Sequence, residues 1–310
     1  MQEGSRKAII AAFAANAGIA VAKFLGFAVT GATSMLAEAV HSVADTTNQG
    51  LLLLGGSRAR RAATAEHPFG YGRERYFWSF VVALVIFTLG SIFALVEGVE
   101  KLRHPHELES VTVAVGILVV AMGFETWSLR TAVHQSRRAK RGQSWWSFIR
   151  RSKSPELPVV LLEDCGALAG LALALVGVGL AEITGNARFD AVGTLAVGVL
   201  LGVIAVVLMV EMKSLLLGEG ASPATVDTIR RTIEAQASVR RVIHLRTLHL
   251  GPEELLVGAK LELDPTLAGP GLAAAINEIE ASVRSQVPEA RVTYLEPDVA
   301  QSDNAQEVPS

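Results

Sequence analysis

The run Phe189-Asp-Ala-Val-Gly-Thr-Leu-Ala-Val-Gly-Val-Leu-Leu-Gly-Val-Ile-Ala-Val-Val-Leu-Met-Val-Glu-Met212 decides the fold. Between Ala191 and Val210 it carries no charge. About 20 apolar residues in a helix cross the hydrocarbon core of a bilayer, so the segment reads as a membrane-spanning helix. Lys213 then opens a stretch of different character, with charges and turn residues at close intervals. The boundary between a lipid-embedded half and a water-soluble tail falls there.

Working outward, five further stretches have the same length and apolar character: Lys7 to Ala28, Met35 to Gly55, Tyr76 to Val99, Val111 to Thr131 and Leu157 to Ala181. Six spans put both chain ends on one side. Arg6 and Lys7 ahead of an apolar run resemble a secretory leader, but the run continues through Leu25 and Val29, too long for a leader's apolar region. An uncleaved helix is expected. Basic residues set the orientation: Arg58, Arg60, Arg61, Arg73 and Arg75 lie between spans two and three. Arg137, Arg138, Lys140, Arg141, Arg150, Arg151 and Lys153 lie between spans four and five, against Lys101, Arg103 and Arg188 on the other side. The positive-inside rule then places both termini and both basic loops in the cytoplasm. Trp145 and Trp146 in the second basic loop are read either as headgroup anchors or as packed aromatics of a solvated loop.

Composition agrees. Of 310 residues 50% are hydrophobic and 19% charged, with a mean hydropathy of +0.38, which excludes a disordered or collagen-like chain. A lone cysteine, Cys165, excludes an internal disulfide and a Cys-rich zinc fold. A net charge of −2 gives no basic surplus for nucleic acid.

In the tail, Ser222-Pro223 is a helix start, with Ser as cap and Pro in the first turn. Strand-like runs follow at Val239 to Leu248 and Leu255 to Leu263, then an amphipathic helix carrying Ile276, Ile279, Val283 and Val287, then a strand from Arg291 to Leu295. The order αββαβ predicts a ferredoxin-like α/β domain. The expected organisation is a six-helix transmembrane domain over residues 1–212, a cytoplasmic α/β domain over 213–298 and a disordered tail over 299–310.

Ionisable groups inside spans are costly and mark function by default. Span two holds Glu38, His41, Asp45 and Asn48 at intervals of three, four and three, one helix face. Span five holds the adjacent acids Glu163 and Asp164. If the two helices are neighbours, imidazole and carboxylates converge into an N/O site for Zn²⁺, or for Co²⁺, Fe²⁺ or Mn²⁺ as oxygen comes to dominate. The competing reading has Glu38 snorkelling to the surface and His41 and Asp45 engaged in interhelical hydrogen bonding. No nucleophile and base pair and no phosphate loop stands out, so no enzymatic reaction and no cofactor beyond a transported metal is expected.

His41-Ser-Val-Ala-Asp45 with Asn48, followed by His67-Pro-Phe-Gly-Tyr-Gly-Arg73, resembles the cation diffusion facilitator family of metal/proton antiporters. The resemblance extends through His244-Leu-Arg-Thr247, Leu261-Glu-Leu-Asp-Pro265 and Val292-Thr-Tyr-Leu-Glu-Pro297. Leu161-Leu-Glu-Asp164, with Glu125 in span four, is similar to the family's ninth zinc-transporter branch of animals and its bacterial relatives. It implies a homodimer held by the C-terminal domain, a bacterial inner membrane, and His41, Asp45 and Asp164 as matched ligands, with His41 and Asp45 coupling protons. The chain departs from the family at Val160, where a fourth ligand is usual, leaving Glu163 as substitute ligand or proton-carrying acid. In the loop site only His67 matches, with Thr64 and Tyr71 at the other positions, and no zinc is expected there. In the tail site His244, Lys260, Ala274, Tyr294 and Glu296 stand at the ligand positions, so a binuclear site looks lost. Gly166, Gly170, Gly193, Gly198 and Gly202 permit either helix sliding or mere close packing. A non-transporting membrane scaffold is the rival from another class.

Overall fold

Glycine fixes where the last two long helices turn back on each other. The helix Glu156–Thr184 ends at Gly185, whose φ of +64° is open to glycine at little cost, and the Gly185 amide donates to the Ala181 carbonyl. Asn186 then accepts from the Arg188 amide through its side chain at 3.1 Å, and the next helix, Arg188–Leu217, begins at once. The result is a tight pair of antiparallel helices.

The computed structural model describes the backbone of residues 33–105, 111–140 and 142–299, with residues 9, 10, 13, 14, 16–18, 20, 21, 24, 25 and 28 of the first span. Those first-span residues are helical. The remainder of that span and the tail expected to be disordered from 300 onward lie outside the described residues. The helices are α1 (Thr33–Arg58), α2 (Glu74–Val82) running through a π-helical turn (Ala83–Phe87) into α3 (Thr88–Arg103), α4 (Val111–Ala139), the short α5 (Trp145–Arg151), α6 (Glu156–Thr184) and α7 (Arg188–Leu217). Among the described residues, three of these segments are long and apolar enough to cross a membrane: Glu74–Arg103, Glu156–Thr184 and Arg188–Leu217. Two more, α1 of 26 residues and α4 of 29, have the length. The chain divides into two units, Met1–Arg61 with Arg73–Ser214, and Ala62–Gly72 with Leu215–Ser310.

The first unit is a helical bundle knit by small residues. A Cβ on Gly177 of α6 would lie 3.0 Å from the Phe189 carbonyl, and one on Gly193 of α7 would lie 3.1 Å from the Leu173 carbonyl, so the two backbones touch. Further along α7, Gly198 seats Leu95 of α3, and Ser91 donates to the Gly198 carbonyl at 2.7 Å. Gly166 lies under Ile204 and Gly202 under Ser91, while Gly170 has ordinary room at 3.6 Å. An apolar cluster including Leu52, Val82, Val160, Leu161, Ile204 and Leu208 fills the interior. Val192, Val199, Val203, Val206 and Val210 line the exposed face of α7, an apolar surface fitted to lipid. Ion pairs tie the helix ends: Arg75 to Glu156 and Arg150 to Glu211 at one end, Lys101 to Asp190 at the other.

The second unit is a small α/β layer. Ser222 caps α8 (Pro223–Glu234) by accepting from the Thr225 amide at 3.2 Å. Then come β1 (Val239–Gly251), β2 (Glu254–Leu263), α9 (Pro270–Gln286) and β3 (Val292–Pro297). The sheet order is β1-β2-β3, with β1 antiparallel and β3 parallel to the central β2. Along β2, Leu255, Val257, Ala259, Leu261 and Leu263 are buried in strict alternation, and Ile229, Ile233, Ile279 and Val283 from the helices cover them. The segment Ala62–Gly72 belongs to this unit. A Cβ on Gly72 would stand 2.7 Å from the Leu250 carbonyl, and one on Gly251 would stand 2.9 Å from the Gly72 Cα, so the loop lies directly on the β1–β2 turn.

Candidate metal-transport site

Two adjacent acids inside an apolar helix cannot face the same neighbour, because successive side chains on a helix diverge by about 100°. Glu163 and Asp164 are both buried, at 9% and 3% exposure. They separate as that geometry requires. The Glu163 carboxylate accepts from the Gln49 side-chain amide of α1 at 3.1 Å, and Asp164 accepts from the Ser128 hydroxyl of α4 at 3.0 Å. Gln49 is in turn an acceptor from the Asn16 amide at 3.2 Å. Helices α1, α4 and α6 and the first span are thereby joined through side-chain hydrogen bonds around the two acids.

The Gln49 to Glu163 bond answers the condition on which the sequence reading rested: α1 and α6 are neighbours. Gln49 lies four residues beyond Asp45 and eight beyond His41, within the same helix. The backbone at Glu38, His41 and Asp45 is helical, and the side chains of these three residues lie outside the described residues. Asn48, three beyond Asp45, is fully buried, and among the described residues neither amide atom has a hydrogen-bond partner. An unsatisfied buried amide costs about 1–3 kcal/mol. It is the kind of group a passing ion or water satisfies. Glu125 lies one turn before Ser128 on α4 and is half-buried. Val160, where the family commonly ligates, is packed in the apolar cluster beside Leu161 and Leu52. Among the described residues no three His, Cys, Asp or Glu side chains gather into a metal-sized group.

Gln49, Ser128 and Asn16 escape the sequence reading. Polar residues at one-turn spacing from Asp45 are a usable signal for Gln49. Ser128 gives none, since a hydroxyl in an apolar helix commonly bonds its own backbone, as Thr126 and Thr131 do on the same helix.

At the loop positions, Thr64 and Tyr71 share a hydrogen bond of 3.2 Å, and the His67 and Tyr71 rings lie 4.5 Å apart. The loop is braced on itself. In the second unit, His244, Lys260 and Glu296 are register neighbours across the three strands. The Lys260 ammonium stands 3.1 Å from Glu296 and 3.2 Å from Asp298. These contacts, the Glu296 hydrogen bond foremost, raise the Lys260 pKa above the usual lysine range. A hydrogen bond from the Val299 amide, and then Lys260, hold Asp298 below the usual carboxylate range. Tyr294 points outward at 60% exposure.

An apolar bundle with two buried acids on α6, one bonded to α1 and the other to α4, in one chain with a small α/β unit, is the arrangement of a membrane protein of the ion-transporter class. The profile of the cation efflux transmembrane domain matches residues 9–217. The chain belongs to that family, the cation diffusion facilitators, whose members are transporters. It is 33% identical over 264 residues to the mouse proton-coupled zinc antiporter SLC30A9, mitochondrial, covering 84% of this chain and 47% of the relative. It is 31% identical over 265 residues to metal tolerance protein C4 of Arabidopsis thaliana, covering 84% of this chain and 57% of the relative. The magnetosome protein MamB of Magnetospirillum gryphiswaldense aligns over 282 residues at 22% identity, 90% of this chain and 89% of that one. The chain thus spans about half the length of the SLC30A9 and C4 relatives.

Proposed function

We propose that this protein is a divalent metal efflux transporter, exchanging Zn²⁺ for protons by alternating access in a homodimer. The observation that carries the reading is the direct bond between α1, the helix of His41 and Asp45, and α6, the helix of Glu163 and the buried Asp164. The relatives' names, proton-coupled zinc antiporter and metal tolerance protein, supply the cargo class.

In this mechanism His41, Asp45 and Asp164 ligate the ion, with Glu163 as a further acid held by Gln49. Asn48 contributes an uncharged donor, and Glu38 and Glu125 lie on the approaches. Ligation needs neutral His41 and ionised carboxylates, so metal entry releases protons and protonation expels metal. His41, with a reference value near 6.5, is the group whose charge changes most readily at physiological pH. An inward proton gradient then drives metal out. The accompanying architecture is six crossings with both termini cytoplasmic, in a bacterial inner membrane. Residues 213–298 form a ferredoxin-like domain that dimerises by packing rather than through metal.

Vesicles reconstituted with the full chain and given an imposed pH gradient test the reading. Zinc uptake is expected to follow the gradient and to vanish in the His41→Ala, Asp45→Ala double variant. Undiminished uptake in that variant sinks the proposal. A second reading, Mn²⁺ or Fe²⁺ as cargo, is favoured by the buried Glu163 carboxylate turned toward α1, which adds oxygen on the side of His41 and Asp45. Competition among Zn²⁺, Mn²⁺, Fe²⁺ and Co²⁺ in the same vesicles decides between the two.

A further inference from the structure

The connection from the last turn of α4 to the start of α6 is charged in one direction only. From Arg137 to Lys153 it carries Arg137, Arg138, Lys140, Arg141, Arg150, Arg151 and Lys153, and no Asp or Glu occurs between Ala132 and Pro155. Its one helix, α5, is capped by Ser144, which accepts from the Ser147 amide, and is anchored by Phe148, at 3% exposure. Two tryptophans remain outside: Trp145 is 37% exposed and Trp146 58%. Each lies beneath a cation, Lys140 over Trp145 at 5.1 Å and Arg150 over Trp146 at 6.0 Å. Arg150 also donates to Glu211 on α7 at 3.0 Å, so the tryptophan face is fixed to the bundle. Arg137, Arg138 and Arg151 are exposed.

We infer that α5 and its flanking basic residues form a docking surface for anionic phospholipid headgroups in the leaflet on the loop's side of the membrane. Charge complementarity carries the assignment. Clustered Lys and Arg next to a spanning helix attract anionic lipid, and exposed Trp settles at the headgroup level, where the ring is half in hydrocarbon and half in water. A soluble acidic partner would use the charge but would not need the indoles. The free phosphoanion shares the charge and lacks the acyl chains that Trp145 and Trp146 would meet. The inference is independent of the transported metal.

Delipidated full-length protein in detergent, titrated with phosphatidylglycerol or phosphatidylcholine and read by native mass spectrometry, tests it. Wild type is expected to retain phosphatidylglycerol with at least tenfold lower Kd than phosphatidylcholine. That preference falls to threefold or less in Lys140→Gln with Arg151→Gln, whereas Arg60→Gln with Arg61→Gln, the same charge loss in the other basic loop, leaves it in place. Trp145→Phe with Trp146→Phe keeps the helix apolar and weakens phosphatidylglycerol retention at least threefold. Equal retention of the two lipids by wild type, equal losses from the two charge variants, or displacement of lipid by millimolar glycerol 3-phosphate would each overturn the inference.

Discussion

The ion pair between Arg75 and Glu156 sets a stability that can be worked out from its surroundings. Arg75 lies in the first turn of α2 and Glu156 opens α6, and the two residues are buried to 5% and 1% exposure. The pair is bidentate, with a second bond of 2.9 Å from the guanidinium to the other carboxylate oxygen. Removing one member of a buried pair strands the other charge and costs about 3–5 kcal/mol, whereas replacing both by apolar groups of similar volume is often neutral or stabilising. Arg75→Met and Glu156→Leu singly are therefore expected to lower the melting temperature in detergent by roughly 6–20 °C, at about 2–4 °C per kcal/mol for a unit of this size. The double variant is expected to recover most of that loss, a coupling of at least about 2 kcal/mol, within the range known for contacting residues. Fluorescence-detected size exclusion after heating reads all four proteins in one series. Single variants that each shift the midpoint by under 2 °C, or a double variant whose loss is the sum of the singles, would refute the assignment of a desolvated, mutually dependent pair.

Gln49→Leu removes the amide donor to Glu163, a bond to a charged group worth about 1.5–3 kcal/mol, and is expected to change zinc KM or turnover tenfold or more, with partial rescue by Gln49→Asn. Transport kinetics within twofold of wild type would separate Gln49 from the site. Gly177→Leu forces apart α6 and α7 where their backbones touch, and loss of folded protein on size exclusion is expected, whereas Gly116→Ala, with nothing within 4 Å, is expected to be neutral. In the α/β unit the raised Lys260 pKa means its contribution is full below the ordinary lysine value near 10.5 and is lost as pH rises through the higher folded value; the lowered Asp298 pKa means its contribution is present above about 3.9 and is lost as pH falls through the depressed value. Hydrogen exchange of the β3 amides, corrected for its intrinsic pH dependence, should thus be flat from about pH 5 to 9, and a midpoint inside that window would contradict the arrangement. Lys260→Gln frees Glu296 and Asp298 from their ammonium, so added zinc is expected to protect β3 in the variant and not in wild type.

Much of this was legible because it is local. Apolar runs specify helices wherever they fall, and Ser222-Pro223 starts α8 through a cap that involves only its own first turn. The alternation of β2 is visible in its residues because one face is buried. Glu163 and Asp164 stand out as charges in an apolar segment. Which neighbour each acid meets is a tertiary fact, and Gln49 and Ser128 supply it from 114 and 36 residues away. The association of Ala62–Gly72 with the C-terminal unit is similarly hidden. It rests on two glycines, Gly72 and Gly251, which let backbones touch and leave no pattern in the intervening sequence.

The acids of α6 differ in the partners they are given. Glu156, at the helix start, is matched by a guanidinium from α2 and serves structure. Two turns further in, Glu163 and Asp164 receive neutral donors, an amide and a hydroxyl. A neutral donor offsets part of the cost of burying a carboxylate without cancelling its charge. The bonds from Gln49 and Ser128 thus hold the acids in place and do not compete as cations for them. A lysine at Gln49 would reverse this, as Lys260 does in the α/β unit, where an ammonium already stands between Glu296 and Asp298. Cations thus match the acids near the ends of the bundle helices, Glu156, Asp190 and Glu211, and the acids of β3 and its end in the α/β unit. Gln49 and Ser128 instead bring uncharged donors to Glu163 and Asp164, as the proposed metal site requires of residues that must leave the carboxylates to the ion.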